Sequence, residues 1–213
     1  CNLTFSHYEI RKGKYSLKGL PAVWAGEDEA DTLEIVLKDQ VSKIEVSLLY
    51  GVLTEDDIIT RSAIIRNAGS EKATIKKAAG ACLDFLTGDF DVVKFYGKHA
   101  MERNMERMHV GHGTLSFGSR RGTSSHQYNP GVILADRNTT EDFGNCYGML
   151  FAYSGNFLCE VEKDQVNQTR LLIGLNDELF AYPLDVNQEF IVPEVIMTYS
   201  HEGFSELSHR YHS

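Results

Sequence analysis

The 213-residue sequence is poor in cysteine (four), tryptophan (one) and basic residues (21 Lys and Arg against 30 Asp and Glu). No stretch approaches the roughly 18 consecutive apolar residues of a membrane-spanning helix. Cys1, Cys82, Cys146 and Cys159 lie far apart with no C-x-x-C pair, which argues against a zinc ribbon or a dithiol redox site and reads as buried free thiols. A formal net charge of −9 argues against nucleic acid or an anionic membrane as the main partner. Catalytic signatures are missing too: there is no G-x-S-x-G elbow, phosphate-binding loop or H-E-x-x-H, and Gly111-His112-Gly113 is followed by nothing of a dinucleotide fingerprint. No cofactor or metal is implied. No secretory signal precedes the three Asn-x-Thr triplets, so a cytoplasmic location is expected. The chain opens without Met inside a strand-like run, as a piece of something longer would.

What is present is alternation. Thr32-Leu33-Glu34-Ile35-Val36-Leu37-Lys38 places every second apolar residue on one face, and Ile44, Val46, Leu48 and Tyr50 do the same in the next run. Residues 13–19 read as an earlier strand. Segments 58–66 and 73–85, joined by Asn67-Ala68-Gly69-Ser70, predict an antiparallel hairpin. Further strands are expected at 91–96, 107–116, 132–135, 147–154, 157–165, 170–175, 179–184 and 193–199. Residues 201–211 alone have helical spacing, with Phe204, Leu207 and Tyr211 on one side. So many short strands imply an all-β domain of packed antiparallel sheets with one C-terminal helix, and 1–213 reads as a single domain.

One stretch departs from the alternation: Ser119-Arg120-Arg121-Gly122-Thr123-Ser124-Ser125-His126-Gln127-Tyr128-Asn129-Pro130-Gly131-Val132. It concentrates hydrogen-bond donors and offers no apolar face. Two readings stand side by side, a surface loop satisfying its own backbone and a functional surface. Tyr153 and Phe157 around Gly155-Asn156 could stack on a sugar, or be core aromatics flanking a turn. His109 and His112 on one strand would point to opposite faces, which disfavours a shared metal. The acidic run Glu27-Asp28-Glu29-Ala30-Asp31 matches no calcium loop and reads as a solvated charge run or turn. Thirty carboxylates are available for paired acid/base work, with nothing to single out two.

Several runs resemble the N-terminal domain of bacterial family-36 glycoside hydrolases, the α-galactosidases: Ile10-Arg11-Lys12-Gly13-Lys14 with Leu20-Pro21-Ala22; Asp31-Thr32-Leu33-Glu34-Ile35; Leu49-Tyr50-Gly51-Val52; Ile59-Thr60-Arg61-Ser62; Ser119-Arg120-Arg121-Gly122 with Ser124-Ser125-His126 and Asn129-Pro130; Tyr153-Ser154-Gly155-Asn156-Phe157; and Pro193-Glu194-Val195. They cover the whole chain in order. The resemblance implies a galactose mutarotase-like β-supersandwich preceding a (β/α)8 catalytic barrel, in a retaining hydrolase of terminal α-galactosides such as melibiose and raffinose, needing no cofactor and forming a tetramer. The family's catalytic aspartates belong to the barrel, and none is carried over: the one tryptophan, Trp24, lies in Ala22-Val23-Trp24-Ala25 and not in the nucleophile's motif. The resemblance makes the domain a support for the barrel, with Arg120, Arg121, Ser125, His126, Asn129 and Asn156 as substrate-rim or domain-interface residues. Two other classes remain open: a mutarotase-like epimerase using His126 and a Glu, and a stand-alone sugar-binding module, for which a single tryptophan is thin support.

Overall fold

The computed structural model describes residues 2–124 and 127–212. Its strands, in chain order, are β1 (Thr4–Lys12), β2 (Asp31–Lys38), β3 (Ile44–Leu53), β4 (Ile58–Asn67), β5 (Ala73–Ile75), β6 (Ala79–Phe85), β7 (Phe90–Lys98), β8 (Met101–His109), β9 (Gly113–Gly118), β10 (Tyr128–Asp136), β11 (Cys146–Phe151), β12 (Phe157–Lys163), β13 (Thr169–Leu175), β14 (Tyr182–Leu184) and β15 (Glu189–Ser200). One helix, α1 (Gly203–Arg210), follows. The strands form a nine-stranded sheet, β1-β2-β3-β4-β15-β11-β10-β7-β8, a four-stranded sheet, β6-β13-β12-β9, and the pair β14-β5. Every paired neighbour is antiparallel.

Alternation assigns the faces. On β10, Val132 and Leu134 enter the main core with Val92, Met149, Phe157, Val161 and Ile173, between the two larger sheets. The intervening Ile133 and Ala135 face the other way and meet Leu207, Phe204 and Tyr211 of α1. The same rule holds on β3 and β4: Leu48 and Ala63 pack toward Ile75 and Leu184 of the short pair, whereas Leu49 and Ile64 meet Tyr15 and Leu17. Small sheets thus cover the inner face of the large one, and α1 together with the segment before β2 covers the outer face.

Several expectations change. Residues 13–19 do alternate, with Tyr15 and Leu17 buried, but they lie across the sheet without joining a ladder. The hairpin predicted from 58–66 and 73–85 does not form: β4 pairs with β3 and β15, whereas β5 pairs with β14 and β6 with β13. Asn67, 1% exposed, redirects the chain there, its amide donating to the carbonyls of Glu71 (2.8 Å) and Leu184 (3.0 Å). The strand predicted at 107–116 breaks at Val110-Gly111-His112, and the one predicted at 179–184 shrinks to β14. The strand-like run at the start of the sequence forms an edge strand, β1, on which Phe5, Tyr8 and Ile10 stay 63–65% exposed. Cys146 and Cys159 are buried thiols as expected, but Cys82 is exposed.

The outer-face segment is held by a buried ion pair. Lys14 Nζ donates to Glu194 Oε1 at 2.5 Å, with side chains 2% and 0% exposed. Glu194 Oε2 also accepts the Val23 N–H at 2.6 Å. Pro193 cannot donate to a ladder, so a central strand carrying it must bulge; β15 does so between Val192 and Val195, and Glu194 sits in that irregularity. Burial lowers the Lys14 pKa more than its hydrogen bond to, and the charge of, Glu194 raise it. Burial likewise raises that of Tyr15, reinforced by Glu194. Gly51 makes room for this arrangement: a Cβ there would lie 2.5 Å from both Lys14 Cδ and Thr60 Oγ1.

Candidate functional site

The polar run after β9 is bound to the turn before β12. Gly118 allows the close approach, since a Cβ on it would stand 2.1 Å from the Phe157 carbonyl oxygen. Ser119 N–H then donates to that oxygen (3.0 Å) and Ser119 Oγ–H to the Thr123 carbonyl (2.5 Å), curling the loop through Gly122 at φ +84°. Gly122 N–H donates to Asn156 Oδ1 (2.6 Å), and Ser124 N–H to the Ser154 carbonyl (2.7 Å). A third connection, after β13, locks both. The Asn176 amide donates to the carbonyls of Ser119 (3.2 Å) and Phe157 (3.3 Å), and its Oδ1 accepts Glu178 N–H (3.0 Å). Among the described residues the loop satisfies itself only in part, through the Ser119 and Thr123 hydroxyls; the Ser124 hydroxyl and most of the backbone bonds named here go to the neighbouring connections.

These connections border a groove of about 630 Å³ lined by Arg120, Tyr153, Asn156, Glu178, Tyr182 and Phe190, among others. Arg120 Nη1 pairs with Glu178 Oε2 across it, both side chains largely in solvent. Tyr182 stacks at a tilt on Phe190, ring centroids 4.6 Å apart, and Phe180 adjoins Phe190 at 6.0 Å. Tyr153 folds over Gly155, where a Cβ would come within 2.4 Å of its ring. Phe157, by contrast, is fully buried, so the stacking pair proposed from sequence reduces to Tyr153.

The six sequence candidates do not form one site. Arg120 and Asn156 share the groove. Arg121 is exposed, and its guanidinium meets no partner among the described residues. Asn129 lies elsewhere, in a groove of about 600 Å³ between α1 and the outer face of β7, β8 and β10, where its buried Oδ1 has no hydrogen-bond partner among the described residues. Ser125 and His126 fall outside the described residues, and so does the epimerase reading that rests on His126. His109 faces Asp89 and Asp91 while His112 meets Asn167, so the strand break rather than alternation separates the two rings. Sequence reasoning missed Asn176, Glu178 and Tyr182. A polar residue directly after the apolar run Leu171-Leu172-Ile173-Gly174-Leu175 was the available signal.

The profile of the Glycosyl hydrolase family 36 N-terminal domain matches residues 1–185. The chain belongs to this family. It is 68% identical over its full length to the bifunctional alpha-galactosidase/sucrose kinase AgaSK of Mediterraneibacter gnavus, but spans 23% of that protein. It is 44% identical to alpha-galactosidase Mel36A of Lactobacillus acidophilus, covering 99% of this chain and 29% of the relative. The crystal structure of alpha-galactosidase AgaA from Geobacillus stearothermophilus superimposes with a TM-score of 0.97 at 40% identity, over 99% of this chain and 29% of that one. These matches bear out the β-supersandwich and the N-terminal-domain assignment. No helix among the described residues is long and apolar enough to cross a membrane.

Proposed function

We propose that residues 1–213 act as a single support domain in a retaining α-galactosidase, with the chemistry performed by a catalytic barrel in the same parent protein. The observation that carries this reading is the contrast between 68% identity across the whole chain and coverage of only 23% of the α-galactosidase relative. The substrates would be terminal α-galactosides such as melibiose and raffinose, and the parent would need no cofactor. A rigid two-layer sandwich suits the task, because barrel loops at the active face need a fixed wall. Arg121 and Asn129 are well placed for domain contacts: among the described residues one is an exposed cation without a partner and the other carries a buried acceptor without a donor. The free thiols of Cys146 and Cys159 suit a reducing compartment and support a cytoplasmic location. A homotetrameric parent is part of the same proposal.

The test is hydrolysis of p-nitrophenyl α-galactoside by the 213-residue chain beside the full-length parent. Activity confined to the parent is expected. Activity in the shorter chain would place a carboxylate pair within the sandwich and overturn the division of labour.

A further inference from the structure

We infer that the groove between residues 119–122, 153–156 and 176–190 is a non-catalytic binding site for a neutral galactose unit. Asn176 spends its amide donors on the Ser119 and Phe157 carbonyls and its Oδ1 on Glu178 N–H, so it builds the wall. Asn156 gives only its Oδ1 to this task, accepting Gly122 N–H, and its two amide N–H donors have no partner among the described residues. The Tyr182 hydroxyl is likewise without a partner there. Arg120 pairs with Glu178 through Nη1 and Oε2, and both side chains are more than half exposed, so each keeps polar capacity toward solvent.

The unspent groups are thus donors from Asn156 and Arg120, an acceptor from Glu178, and a hydroxyl from Tyr182 that serves as either. The groove carries one cation and one anion, already paired, so a charged ligand meets no uncompensated partner. A ligand with many hydroxyls, each both donor and acceptor, satisfies all four groups together. Beside them Tyr153 and the Tyr182–Phe190 stack offer aromatic surface to the C–H face of a pyranose ring. At about 630 Å³ the groove lies within the range of about 300–1,000 Å³ usual for small-molecule sites. Because three loops are cross-linked behind it, little ordering is needed on binding.

The choice of galactose over other neutral sugars rests on the α-galactosidase reading, since that is the sugar such a parent encounters. Hydrogen exchange read by mass spectrometry on the full-length parent, with and without D-galactose, keeps the two proposals apart. The expected result is slower exchange in peptides spanning 119–124, 153–156 and 176–182, whose Gly122, Ser124, Asn176 and Glu178 amides are hydrogen-bonded. Asn156→Asp retains the acceptor for Gly122 and removes the free donors; Glu178→Gln alters the acceptor without emptying the groove. Both variants should lose the galactose-dependent protection while exchange in the β-sheet core stays as in the wild type. Unchanged exchange in these peptides at saturating galactose would overturn the inference, and so would peptides already fully protected without sugar, which would show a neighbouring domain covering the groove. Hydrolysis of p-nitrophenyl α-galactoside by the same parent is scored separately, so failure of the enzymatic reading is distinguishable from failure of the groove.

Discussion

Lys14–Glu194 and Arg120–Glu178 are both cation–carboxylate contacts, but the first has side chains 2% and 0% exposed and the second 70% and 51%. Burial converts one into a structural joint: it ties the irregular outer-face segment to the bulge of β15, and neither charge can relax into water if its partner is lost. Exposure makes the other nearly neutral for stability, because solvent already satisfies both ions, and leaves it free to meet a ligand. The same pairing of charges is thus a buried joint in one place and a solvated surface contact in the other.

Breaking the buried member should have the largest effect. Lys14→Met strands the Glu194 carboxylate and should cost about 3–5 kcal/mol, read from the urea midpoint of the chain. Lys14→Met combined with Glu194→Gln should cost clearly less than Lys14→Met alone, since no orphan charge remains. A double variant as unstable as the single one would show that the charge is not what matters. Gly51→Ala comes next, at about 1–3 kcal/mol, because its methyl group meets a lysine chain that cannot move and the buried Thr60 hydroxyl.

At the exposed pair, Arg120→Ala should change stability by less than about 1 kcal/mol. A larger loss in the urea midpoint would mean that Arg120 anchors the loop fold itself and that the contrast between the two pairs is wrong. The smallest effect should come from acid. Backbone N–H groups of Asn2 and Val41 hold the Asp39 pKa down to about 2. A carboxyl depressed below its unfolded value stabilises the fold at higher pH, and that contribution fades as pH drops from about 4 toward 2. Asp39→Asn should lower stability at neutral pH and flatten the acid limb over that window, so that variant and wild type converge toward pH 2.

Much of the layout was legible in the residues. The alternation in β2 and β3, and the Phe204, Leu207, Tyr211 spacing of α1, are local properties, because side-chain direction follows from backbone geometry within a few residues. Which strand pairs with which was not legible. β4 and β6 are close in sequence yet lie in different sheets, and only the buried Asn67 side chain, bonded to carbonyls on two other segments, turns the chain away from a hairpin. Residues 13–19 show the converse: a true period of two without a partner strand, since Tyr15 and Leu17 bury themselves on a face instead of at an edge.

The candidate site divides along the same line. Arg120, Arg121, Asn129 and Asn156 stand out by residue type in an alternating sequence. Tertiary structure alone decided that Arg120 and Asn156 line one groove with Glu178 and Tyr182, from a distant loop and from β14, and that Asn129, nine residues beyond Arg120, lies instead in the groove beside α1. The sequence by itself determined the all-β class, the terminal helix and the family, because each rests on local pattern or on motifs in order. Partner choice, burial of the Lys14–Glu194 pair and assembly of the groove depend on contacts between residues far apart in the chain, and no local periodicity encodes those.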